Sequence, residues 1–114
     1  MTEIELKNLI KDQESQTLEF KESTGEKREI CETICAFVNS HGGQILVGIK
    51  NDGTLSKTTI TEKSQTDITD LFINFKPKTT SLISFEIVVL DTFRILVITV
   101  KAGSTNKNSY KNTF

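Results

Sequence analysis

Glu14 and Glu19 bracket the stretch ESQTLE. Carboxylates are the groups that hold hard divalent cations, and a two-metal nuclease needs several of them converging within a few ångströms. Asp52, in the turn Asn51-Asp52-Gly53, is a third candidate acid. If residues 16–22 and 44–49 are neighbouring strands, Glu14, Glu19 and Asp52 approach one another. The plain alternative makes Glu14 a turn residue and pairs Glu19 with a lysine such as Lys50. A second candidate chemistry is phosphate contact. Lys21, Lys50, Lys101 and Lys107 lie along the expected sheet edge and tail, and Lys27 and Arg28 open a helix.

Other chemistries find little support. GQILVGIK (43–50) has two glycines at phosphate-loop spacing, but Ile49 separates Gly48 from the lysine and no Ser/Thr follows. The residues between are strand formers, whereas a phosphate cradle needs free backbone N–H groups in a turn. No Ser/His/Asp or Cys/His triad is apparent. Cys31 and Cys35 stand four apart in a helical stretch, which suits a disulfide poorly. His41 is the only histidine, so a Cys–Cys–His metal site lacks ligands. Two small core-facing thiols fit the pattern better.

The elements that must position these groups follow from periodicity. Thr2 and Glu5 have capping-box spacing, and Ile4, Leu6, Leu9 and Ile10 give a helix over 3–11. QTLEFKE (16–22) alternates, with Leu18 and Phe20 on one side and Glu19 and Lys21 on the other, as in a half-buried strand. Ser23 and Glu26 repeat the capping signal before a helix over 26–39, which Gly42 and Gly43 end. QILVGI (44–49) reads as a central strand covered on both faces. Gly48 within it implies close approach by another backbone or a side chain such as Phe37. After a loop at 54–63, Ser64 or Thr66 caps a helix carrying Ile68, Leu71, Phe72 and Phe75, which Pro77 stops. Residues 81–90 and 93–100 flank Asp91-Thr92 as a hairpin. The order is α-β-α-β-α-β-β. It predicts one α/β (α+β) domain over 1–114, with a mixed sheet of about four strands and three helices.

The chain has 114 residues, enough for one core. No apolar run approaches a membrane span and the acidic N-terminus is no signal peptide, so a soluble cytoplasmic protein is expected. Net charge is −1, which argues against a strongly basic nucleic-acid binder. The charge is unevenly spread. Residues 1–75 hold 8 Lys/Arg against 13 Asp/Glu, and residues 76–114 hold 6 against 2. Such a split can mark an anion-facing edge.

ESQTLEFKES followed by TICAFVNSHGGQILVGIKNDG closely resembles the Schlafen/AlbA-type domain, also called the divergent AAA domain. The match is good over about residues 12–55, and only the helix-then-hairpin layout agrees beyond. The resemblance implies an N-terminal DNA-binding domain of a transcriptional regulator, so the chain is expected to be part of a longer protein with a further C-terminal domain. It implies nucleic acid as partner, DNA before RNA, and no cofactor. Animal Schlafen proteins use the fold as an RNA endonuclease. Their two glutamates fall on Glu14 and Glu19, and their third acid falls on Asn51. The alternative is therefore a Mg- or Mn-dependent endoribonuclease with Asp52 completing the site. A third reading is an interaction module, with a strand edge of the C-terminal hairpin pairing in a homodimer.

Overall fold

The protein's structure is a computed structural model that describes residues 1–75 and 81–103. The elements are α1 (Glu3–Asp12), β1 (Leu18–Lys21), α2 (Lys27–Val38), β2 (Gly43–Val47), α3 (Glu62–Phe75), β3 (Ile83–Leu90) and β4 (Phe93–Val100), with a 3-10 turn at Thr24–Glu26. The expected order and class hold. The four strands form one sheet in the order β1-β2-β4-β3. β1 and β2 run parallel, while β2–β4 and β3–β4 are antiparallel.

Side-chain alternation divides the core into two layers, one on each sheet face. Ile45, Val47, Leu96, Ile98 and Val100 meet Ile30, Ile34, Phe37, Ile68 and Phe72 from α2 and α3. Leu18, Phe20, Leu46, Ile95 and Val97 meet Leu6 of α1 on the other face. β2 and β4 contribute to both layers, which is why QILVGI reads as a nearly continuous apolar run. β1 is an edge strand and shows the simpler alternation. Leu18 and Phe20 are buried, and Glu19 and Lys21 are half-buried on the α2 side.

Local chemistry sets the boundaries. Thr2 and Glu5 form the expected capping box: Glu5 N donates to Thr2 Oγ1 (3.1 Å) and Thr2 N to Glu5 Oε1 (2.9 Å). Ser23 does not cap α2 as expected. Its hydroxyl accepts from Gly25 N and starts the 3-10 turn instead. α3 starts at Glu62, earlier than expected, because Thr61 and Ser64 satisfy one another's backbone N–H groups. Pro77, its expected stop, lies outside the described residues. β1 is shorter than 16–22 because Ser15 and Leu18 exchange backbone hydrogen bonds and turn the chain there. β2 ends at Val47 because Gly48 takes φ +109°. A Cβ on Gly48 would lie 3.1 Å from Ile95 Cδ1, whereas Phe37 packs on Gly43, so Ile95 makes the approach expected of Phe37. Cys31 and Cys35 are buried thiols not joined in a disulfide, and burial pushes Cys31 up to about 11.

Candidate functional site

Strand β1 and the turn after β2 meet at the C-terminal ends of the two parallel strands, where open α/β sheets place ligands. Lys21 O accepts from both Gly48 N (2.7 Å) and Ile49 N (3.2 Å), which binds the two segments together. Lys50 N donates to Thr54 O and Gly53 N to Lys50 O, closing the tight turn expected at Asn51-Asp52-Gly53. A polar cleft of about 330 Å³ opens there, lined by Glu14, Glu19, Phe20, Lys21, Glu22, Glu26 and Asn51.

Glu14 reaches the cleft by folding back along β1. Thr17 O and Lys21 O face β2, so the amide of Phe20 points away from β2, to the open edge of the sheet. Glu14 Oε2 accepts from that N–H at 3.0 Å. The carboxylate therefore covers an edge amide as well as lining the cleft. Glu19 lies within hydrogen-bonding reach of Glu14. Burial, and then the Glu14 charge, raise its carboxyl above the ordinary range, with Lys21 opposing.

The third acid is not where the candidate trio needs it. Asp52 Oδ1 accepts from Thr54 N (3.0 Å) and Thr54 Oγ1 (2.6 Å), which holds its carboxyl below the ordinary range. That local turn keeps Asp52 off the cleft wall, and Asn51 lines the cleft instead. Among the described residues no group of three His, Cys, Asp or Glu is arranged to hold a metal ion. The donors lining the cleft are Glu14, already engaged with Phe20 N, Glu19 with its raised pKa, Glu22, Glu26 and the neutral amide of Asn51. No three of these carboxylates converge, so they do not fit the Mg or Mn of a nuclease centre. The plain alternative is corrected too. Lys21, rather than Lys50, is the cation acting on Glu19, and Lys50 acts on Asp52.

The cationic candidates divide. Lys21 lines the cleft, and Lys27 and Arg28 directly follow its wall residue Glu26. Lys50 directly precedes Asn51. These four share one end of the sheet. Lys101 does not, because it follows Val100, which pairs with Gly43 at the start of β2. A strand of this length separates the two ends by roughly 15 Å. Lys107 lies outside the described residues. Lys21 is paired with Glu29 at 3.7 Å and Lys27 with Asp67 at 3.4 Å, and both lysines are half-buried. Arg28 and Lys50 are more exposed to solvent. Sequence reading missed Glu22, Glu26 and Glu29. The run of acids at positions 19, 22, 26 and 29 was the available signal, but only folding shows that it surrounds Lys21.

The Glu14–Glu19 contact has a pH signature. A carboxyl whose folded pKa is raised binds its proton more tightly in the folded state. Stability therefore falls as pH rises from the unfolded value through the folded one. Glu19→Gln is expected to stabilise the chain at pH 7 by up to about 0.5 kcal/mol, a solvent-screened surface effect. That gain should vanish as pH falls towards the unfolded carboxylate pKa. Urea unfolding of both proteins at several pH values reads the difference. A gain that persists or grows in acid would contradict the contact.

No helix among the described residues is long and apolar enough to cross a membrane. The search of curated proteins gave no match. The solution NMR structure of the N-terminal domain of a RecG-related protein from Nitrosomonas europaea superposes with a TM-score of 0.65 at 17% identity, covering 100% of this chain and 80% of that one. At that identity the likeness shows a shared fold. The family model described as Schlafen, AlbA_2 matches residues 14–114, a span that takes in the cleft, the whole sheet, α2 and α3, and the chain therefore belongs to the Schlafen AlbA_2 family.

Proposed function

We propose that the chain is a nucleic-acid-binding domain of a transcriptional regulator, meeting the phosphates of duplex DNA at the cleft rim. The observation that carries this reading is the convergence of Lys21, Lys27, Arg28 and Lys50 from separate segments on one polar end of the sheet. Arg28 and Lys50 are the more exposed of the four and are the side chains assigned to phosphate contact. Lys21 and Lys27 are engaged in ion pairs with Glu29 and Asp67, so each offsets one acid near this end of the sheet. The N. europaea neighbour is named for its relation to an ATP-dependent DNA helicase, which supports a nucleic-acid setting for this fold. Contacts of this kind position a duplex without reading its sequence.

Titration of a labelled DNA duplex at several salt concentrations tests the proposal. With about two phosphates contacted, the slope of log affinity against log salt should be about −2. Absent or salt-insensitive binding would overturn it.

The cleavage reading is weaker. Glu14 and Glu19 do share the cleft, but the third position offers the neutral amide of Asn51. Incubation of the chain with tRNA and Mn²⁺ is expected to give no cleavage above that of Glu19→Gln. Cleavage that Glu19→Gln abolishes would reverse this assignment.

A further inference from the structure

The sheet's two edges are treated differently. β1 is four residues long, and its outward amides are covered, Phe20 N by Glu14 and Leu18 N by Ser15 O. β3 has eight residues and lies at the other edge. Lys101 N donates to Leu82 O, so the even-numbered residues of β3 face β4 in the hydrogen-bonded ladder. The N–H and C=O groups of Ile83, Phe85, Ile87 and Val89 therefore point outward. None of these groups has a backbone or side-chain partner among the described residues. The same four side chains form an apolar stripe on the α3 side, where Val89 is 54% exposed and Ile73 of α3 is 41% exposed. Behind the edge, Thr69, Phe72, Ile83 and Phe85 line a cleft of about 150 Å³. Glu86, the strand's one charge, points to the opposite face, and a long edge with an apolar stripe is what monomeric proteins avoid.

We propose that this edge is a dimer interface, in which β3 pairs antiparallel with β3 of a second copy to make one continuous eight-stranded sheet. The occupant is argued from self-complementarity. A two-fold axis perpendicular to the sheet keeps both apolar stripes on the same face, so each stripe meets an equivalent one. The outward groups alternate with the same period on both strands and satisfy one another. Charge selects the register. Centring on Glu86 would oppose two carboxylates that each already hold a Met1 amine. Centring on Phe85 would leave Val89 without an apolar neighbour. Centring on Ile87 sets Ile87 against Ile87 of the partner subunit and Phe85 against the partner's Val89, beside the mouth of the cleft.

Light scattering across a concentration series, with amide hydrogen exchange on the same samples, tests this. The chain should show twice its monomer mass, and the amides of Phe85, Ile87 and Val89 should exchange at least about tenfold more slowly than in a monomer. Val89→Lys puts a charge on an already exposed position and should give a folded monomer with those amides unprotected. If that variant fails to fold, exchange in the wild-type chain still decides. A monomer at high concentration overturns the proposal, and so does a dimer whose β3 amides exchange freely or that survives Val89→Lys. A monomer with these amides protected would assign the edge to another segment of the chain and equally overturn it.

Discussion

Gly42→Val should cost about 3–5 kcal/mol of stability, a large part of what a domain of this size possesses. Gly42 takes φ +76°, in the left-handed region that β-branched residues avoid. A Cβ there would lie 2.6 Å from Val100 O and 2.9 Å from Ala102 N. Both neighbours are backbone, so neither can rotate aside. Gly42 N also donates to Phe37 O, closing the end of α2. The substitution therefore strains the helix end and the β2–β4 pairing together. Gly25 is the matched control. It is exposed, its φ is ordinary, and its nearest neighbour is Ser23 Oγ at 3.3 Å, the end of a movable side chain. Gly25→Val should shift the urea midpoint by no more than an ordinary surface change, about 0.5 kcal/mol. Equal midpoints for the two variants would contradict the close backbone approach at Gly42.

Charge reversal at the cleft rim should have the largest effect on binding. Replacing Arg28 and Lys50 together by glutamate removes the two proposed phosphate contacts and adds two acids to a rim already holding Glu14, Glu19, Glu22 and Glu26. Duplex affinity should fall about tenfold or more near physiological salt, and the salt slope should flatten by about 2. Lys101→Glu changes charge at the opposite end of the sheet and should leave affinity within about twofold, since a charge beyond the Debye length is largely screened. The comparison is informative because all three residues are equally plausible cations in the sequence. If Lys101→Glu weakens binding as much as the double reversal, the contact surface is elsewhere.

Much of the architecture was legible from residue pattern. Alternation at Leu18 and Phe20, helical spacing at Ile30, Ile34, Phe37 and Val38, and the capping box at Thr2 and Glu5 are short-range signals. They depend on which side of an element faces apolar neighbours, and that is written in consecutive residues. The Glu14–Glu19 association was also within reach, because the two acids lie five positions apart around a single turn. Less legible were the details governed by competing local hydrogen bonds. Ser23 and Thr61 carry capping chemistry, yet which helix or turn each serves depends on backbone geometry that many sequences share.

The sequence by itself determined the element order, the two apolar faces of the central strands and the presence of acids and bases near the strand ends. Tertiary structure alone decided which of those charges share a rim. Asn51 and Asp52 are adjacent, but a turn of one residue sends one to the cleft and the other to Thr54. Lys50 and Lys101 look alike in sequence, but the antiparallel run of β4 beside β2 carries Lys101 to the far end. Strand order also left β3 at an edge that no described strand pairs, while β1 was covered by its own preceding turn. Strand order and direction arise from contacts between residues distant in the chain, which no local pattern records.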